Sequence, residues 1–111
     1  MGCTTRKDPG GVTVLTVEGQ LIVGNRQELK DAVQAVLDQG EQRLLIDFSG
    51  TGYIDSSGLG ALVSISKRVR EAGGELRLSG LNEDLRSLFE LTKLDTLFAI
   101  AETPQQALAS F

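Results

Sequence analysis

Two adjacent serines stand behind an aspartate and ahead of two glycines in Ile54-Asp55-Ser56-Ser57-Gly58-Leu59-Gly60, where the chain gathers residue types suited to chemistry. A serine hydroxyl can act as a nucleophile, accept a phosphoryl group or cap a helix, and its neighbours decide among these roles. A nucleophile elbow needs glycine two places before and two after the serine; Gly58 suits Ser56, but Ile54 fills the other place. The chain contains no histidine, so the usual base for such a serine is missing. A dinucleotide fingerprint begun at Gly50 and Gly52 needs a third glycine and meets Asp55 instead. No Gly-x-x-x-x-Gly-Lys-Ser/Thr phosphate loop occurs. Each enzymatic reading fails at a named residue, so the chain is expected not to be an enzyme.

The segment is also the start of a helix. Leu59, Leu62, Val63, Ile65, Val69 and Ala72 keep a broad helical stripe, which Gly73-Gly74 stop. Unpaired N–H groups and a partial positive charge mark a helix N-terminus, so a phosphate is well placed there. Asp55, Ser56 and Ser57 are equally ordinary cap residues. One residue suffices for a cap, whereas three polar residues and two glycines are present. Gly58 and Gly60 cost helix propensity, a cost that the close approach of a partner's backbone would explain. Local chemistry leaves cap and functional site both open.

The elements around this segment alternate. Val12, Val14, Leu15 and Val17 lie in a β-branched run bounded by Gly10-Gly11 and Gly19, a strand. Asn25 and Glu28 form a capping-box pattern ahead of Leu29, Ala32, Val33, Val36 and Leu37, the apolar face of a helix that Gly40 ends. Leu44–Phe48 is a nearly continuous apolar run, as in a strand covered on both faces, followed by a turn at Ser49-Gly50-Thr51-Gly52. Leu76 and Leu78 mark a third strand nearer an edge, Asn82 caps a short helix, and 96–100 reads as another strand. Thr103-Pro104 opens a last helix with Gln106 at its third position. This alternation predicts an α/β sheet with crossover connections. The strand ending at Phe48 directs attention to residues 49–60, since such sheets place ligands at the carboxyl ends of their strands.

Composition narrows the partners. The 111 residues suit a single domain spanning 1–111, with residues 1–10 expected to be a poorly ordered N-terminal segment. A net charge of −4, with Lys67, Arg68 and Arg70 as the densest basic group on a solvated helix face, gives no footprint for direct nucleic-acid binding. Five aromatic residues are too few for a base-stacking platform. Cys3 is the only cysteine, so no internal disulfide can form. With no histidine and this one thiol, neither a metal site nor a cofactor is expected. No long apolar run, signal peptide or myristoylation pattern is present, so a cytoplasmic protein without membrane contact is expected.

Leu44-Leu45-Ile46-Asp47-Phe48-Ser49-Gly50 and Tyr53-Ile54-Asp55-Ser56-Ser57-Gly58-Leu59-Gly60 resemble the core signature of bacterial anti-sigma factor antagonists, the STAS domain family. Gly73-Gly74-Glu75-Leu76 and Leu85-Arg86-Ser87-Leu88-Phe89-Glu90-Leu91-Thr92 extend the likeness, which runs from about Val12 onward. The resemblance implies a mixed sheet of four to five strands with about four helices packed mainly on one face. It implies that the unphosphorylated form binds an anti-sigma factor, usually a serine kinase, and so frees a sigma factor. The kinase then phosphorylates the serine after the aspartate, here Ser56 rather than Ser57, and a PP2C-type phosphatase reverses it. Asp55 and Asp47 would flank that site. The partner surface would draw on Gln20, Ile22, Asn25, Asp47, Asp55, Ser57, Gly58 and Leu59, within Gly19–Asn25, Gly50–Leu59 and the exposed side of the helix beginning near Ser57. A weak homodimer is compatible with it.

The likeness departs at one place. Family members often carry Gly-Glu-Leu-Asp where this chain has Gly19-Gln20-Leu21-Ile22. Both acids are gone, and Ile22 with Val23 would offer a dry contact in place of a charged one. A STAS subunit of a transporter or sensor assembly, without a phosphorylation cycle, is the alternative this departure keeps open. A receiver domain with Asp47 as acceptor is a lower one, because it needs paired acids for magnesium where Gly19-Gln20-Leu21 stands.

Overall fold

In the computed structural model, which describes residues 2–111, Val14 and Leu15 are both fully buried yet enter different apolar clusters. Successive strand residues point to opposite faces, so this pair marks a sheet covered on both sides. The elements are β1 (Gly2–Lys7), β2 (Thr13–Leu21), α1 (Arg26–Asp38), β3 (Arg43–Ile54), α2 (Ser56–Glu71), β4 (Glu75–Ser79), α3 (Glu83–Leu91), a 3-10 turn (Leu94–Thr96), β5 (Ala99–Ala101) and α4 (Pro104–Ala109). The sheet order is β1-β2-β3-β4-β5, antiparallel between β1 and β2 and parallel thereafter.

That order explains the layering. Each parallel strand is added on the same side of the one before it, so right-handed crossovers carry α1, α2 and α3 to one face. Their apolar stripes, including Leu29 and Val33 of α1, Leu62 and Ile65 of α2 and Phe89 of α3, meet Leu15, Ile46, Phe48 and Leu78 there. The opposite face is covered by α4, where Ala107, Leu108 and Phe111 pack on Val12, Val14 and Leu45. Arg77 holds that end: its guanidinium stacks 4.4 Å from the Phe111 ring centre and donates to the Ser110 carbonyl and hydroxyl. The predicted mixed sheet of four to five strands is therefore found with five, and helices lie mainly on one face.

Several elements differ from the sequence-based expectation. Residues 1–10, expected to be poorly ordered, contain β1, paired from Gly2↔Glu18 to Lys7↔Thr13. Its six residues lack apolar alternation, with only Cys3 half-buried, so nothing in its hydrophobicity marks a strand. The signal lies in the turn: Asp8 accepts from Gly11 N–H at 2.9 Å and, through its carboxylate, from Gly10 N–H at 3.0 Å. Burial, then the Glu28 carboxylate, pushes the Cys3 thiol up in pKa. β3 continues through the predicted turn at 49–52 to Ile54, because Thr51 is buried and its hydroxyl donates to the Val17 carbonyl at 2.7 Å. β4 is an interior strand, and β5 starts three residues later than predicted, after the 3-10 turn.

The turn after α3 carries a local cost. Lys93 adopts φ 63°, a left-handed conformation that favours glycine. Lys93→Gly should therefore stabilise the domain by about 0.5–1 kcal/mol, the strain relieved outweighing the added chain entropy. Urea denaturation checks this; a lower midpoint would show that Lys93 makes a contact worth more than its strain.

Candidate functional site

Asp55 closes the end of β3 and opens α2, and both of its carboxylate oxygens are used. Oδ1 accepts the Gly58 N–H at 2.7 Å as an N-cap, while Oδ2 accepts the Val23 N–H at 3.1 Å from the loop after β2. The Asp55 N–H donates to the Leu21 carbonyl at 3.1 Å. One residue thus ties the helix start to the neighbouring strand and loop. Ser56 follows as the first residue of α2, exposed to solvent, and Ser57 is half-buried.

The 22–25 loop is fixed from its own side by Asn25. The capping box predicted there does not form: Asn25 makes no side-chain cap to α1. Its Oδ1 accepts the Ile22 N–H at 2.9 Å and its amide donates to the Gln20 carbonyl at 3.0 Å. Held between Asn25 and Asp55, the loop presents Val23, 62% exposed, beside the helix start. Tyr53, 56% exposed, pairs in register with Gln20 across β2 and β3. One turn along α2 from Ser56, Gly60 is exposed with open space above it, and Val63 beyond it is exposed as well. Val63 was expected in the buried stripe, but α2 is wide enough in apolar residues to seal the core without it.

This is a surface rather than a cleft: a helix start with a free hydroxyl, rimmed by exposed apolar side chains. A family model described as the STAS domain matches residues 5–107. The chain belongs to the STAS domain family. Among relatives of this STAS domain, BtrV of Bordetella bronchiseptica is 30% identical over 101 residues, covering 91% of this chain and 87% of the relative. The anti-sigma-B factor antagonist of Bacillus subtilis is 32% identical over 87 residues, covering 78% and 79%. The crystal structure of an anti-sigma factor antagonist from Mycobacterium paratuberculosis superposes with a TM-score of 0.84 at 27% identity, covering 98% and 93%.

The STAS domain brings together part of the predicted site and disperses the rest. Gln20, Ile22, Asp55, Ser56 and Ser57 lie around the start of α2, Gln20 exposed and Ile22 half-buried. Asn25 is half-buried and acts inside the loop. Gly58 and Leu59, counted with the partner surface, are buried. A Cβ on Gly58 would stand 2.9 Å from Ile54 Cγ2 and closer still to the Leu21 carbonyl oxygen, so its bareness serves the fold itself. Leu59 belongs to the core. Asp47 does not flank Ser56: β3 runs on to Ile54, and seven residues at about 3.3 Å each place Asp47 roughly 23 Å from Ile54, with Asp55 and Ser56 beyond it. Its carboxylate instead takes the Ser49 N–H at 3.0 Å and hydroxyl at 2.6 Å.

Tyr53 and Val63 are the surface residues that spacing did not single out, whereas Gly60, expected where a partner's backbone comes close, does lie on the surface. Extending β3 to Ile54 would have revealed Tyr53 as the outward member of its alternation. Among the described residues no cluster of His, Cys, Asp and Glu could hold a metal, and no helix is long and apolar enough to cross a membrane.

Proposed function

We propose that this STAS domain is an anti-sigma factor antagonist whose surface around Ser56 docks an anti-sigma factor that is also a serine kinase. The observation that carries this is the exposed Ser56 hydroxyl at the first turn of α2, beside an aspartate already committed to the cap and to Val23. A capping role does not need Ser56, because Asp55 fills it. The hydroxyl is left free to attack the γ-phosphorus of ATP held by the kinase, with ADP leaving and the hydroxyl proton passing to the kinase's base. The domain is substrate and binder; the nucleotide chemistry belongs to its partner, and a PP2C-type phosphatase restores the free serine.

The surface suits close docking. Gly60 leaves a bare patch one turn after Ser56, Val63 follows it one turn further along α2, and Val23 and Tyr53 are exposed on the adjoining loop and strand. With Gln20 and Ile22 in place of acids, the partner is held here more by apolar burial than by charge pairing. Incubation with the anti-sigma factor kinase and ATP, followed by peptide mass spectrometry, is expected to place a single phosphate on Ser56, absent from Ser56→Ala. A phosphate confined to Ser57, or none, would overturn the assignment and favour a STAS subunit without a phosphorylation cycle.

A further inference from the structure

The acidity of the chain is concentrated in the corner built from α3, the 3-10 turn and β5. Residues 83–102 carry five carboxylates against two bases, in a chain whose net charge is −4. The same corner holds Leu91, 82% exposed and the most exposed large apolar residue among those described, together with Leu97 at 42%. A single exposed leucine is ordinary, but each of these two adjoins in sequence a residue that lines a formed groove, Leu91 next to Glu90 and Leu97 next to Phe98. The groove has a volume of about 360 Å³, an apolar floor of Leu81, Phe89, Phe98 and Ile100, and Glu90, Asp95 and Arg86 on its rim. Arg86 is paired with Glu102 at 3.8 Å, so Glu90 and Asp95 are the carboxylates left to face a ligand. Phe89 and Phe98 meet edge to face with ring centres 5.9 Å apart, which fixes the floor.

Beside the groove the sheet ends. β5 pairs with β4 on one side, and among the described residues its other side has no backbone hydrogen-bond partner. An open strand edge next to an apolar groove is the arrangement that accepts an added peptide strand, the main chain pairing with the edge and alternate side chains entering the groove. The surrounding carboxylates select what can approach. They repel nucleic acid and anionic lipid and attract lysine and arginine.

We propose that this corner is a second docking surface, for an extended basic segment of a partner protein carrying an apolar anchor residue. The anchor enters the groove against Phe89 and Phe98, the segment lies along β5, and its cations meet Glu90 and Asp95. β5 has only three residues, so few main-chain bonds form and the anchor and the charges carry the affinity. No residue of this surface belongs to the Ser56 site, so the two surfaces can be occupied independently.

The test is a nuclear magnetic resonance titration of the isotope-labelled chain with the peptide acetyl-Lys-Lys-Leu-Lys-Phe-Lys-Lys-amide and with its counterpart having Glu for every Lys. The basic peptide is expected to shift the amides of residues 90–102 and the acidic one to leave them in place. Binding should weaken about tenfold or more in the Leu91→Ser/Leu97→Ser variant, both side chains being exposed in the free fold. It should also weaken as salt rises from about 0.01 M to about 0.15 M, where screening shortens from about 30 Å to about 8 Å. Ser56→Asp should bind the peptide as the parent does. Equal binding of the acidic peptide, shifts confined to residues 20–60, or no shift in 90–102 would overturn the proposal. Leucine-dependent binding to phosphatidylglycerol vesicles would overturn it in favour of a membrane. Failure here leaves the phosphorylation of Ser56 unaffected, since that is read separately by mass spectrometry.

Discussion

Alanine at Gly58 is expected to destabilise the domain by about 3 kcal/mol, while alanine at Gly60, two residues further along the same helix, is expected to stabilise it by about 0.5–1 kcal/mol. Intrinsic propensity favours alanine at both positions by a similar amount, about 1 kcal/mol, so the difference comes from surroundings. At Gly60 an added methyl meets nothing within 4 Å. At Gly58 it meets the Leu21 carbonyl and Ile54 Cγ2, and is only 3.0 Å from Leu21 Cγ. The carbonyl cannot retreat freely, because the Asp55 N–H bonds to it at 3.1 Å and the same residue holds Val23. Relief of the clash would break that junction, costing hydrogen bonds in addition to packing. Thermal unfolding followed by circular dichroism should show Gly58→Ala melting about 10–20 °C below the parent, and Gly60→Ala at or above it. Equal melting temperatures for the two variants would show that the helix start can shift away from β2, and the description of Asp55 as a rigid junction would fall.

The two glycines also show where sequence reasoning ends. Both depress helix propensity, and spacing alone assigned both to the approach of a partner. The long-range contact between α2 and the end of β2 separates them, because Leu21 lies 37 positions before Gly58 and no local pattern links the pair. Elements with strong apolar periodicity, α1 and α2 above all, were legible because burial itself imposes that pattern. β1 was not, since an exposed edge strand paired on one side needs no apolar alternation. The end of β3 was hidden by Ser49-Gly50-Thr51-Gly52, whose turn composition is overridden by pairing with β2 and by the buried Thr51 hydroxyl. The same extension of β3 separates Asp47 from Ser56, which the family resemblance had set side by side. The Asn25 cap failed for a related reason: the side chain spends its hydrogen bonds on the loop before it, the loop that presents Val23.

Phosphorylation of Ser56, or Ser56→Asp as its mimic, is expected to leave the fold intact and to weaken binding of the anti-sigma factor kinase by about 100-fold or more. The phosphate adds about −1.5 to −2 charges at the first residue of α2, where the helix dipole favours an anion by about 0.3–1 kcal/mol. Asp55 retains the cap because its carboxylate bonds Gly58 and Val23 and not Ser56. Stability is therefore expected to change little. Docking is different, because burying the same group against a partner requires removing its hydration beside a second carboxylate, and a loss of about 2.7 kcal/mol already corresponds to about 100-fold. The exposed Val23, Tyr53 and Val63 strengthen this effect, since an apolar interface offers the phosphate no compensating cation. Ser56→Ala should bind as the unmodified chain does, which separates loss of the hydroxyl from gain of charge. Isothermal titration of the three forms against the kinase, with melting curves on the same samples, reads both quantities. If Ser56→Asp lost binding only in proportion to a fall in melting temperature, phosphate would be acting by unfolding α2, and the surface-blocking switch would be wrong.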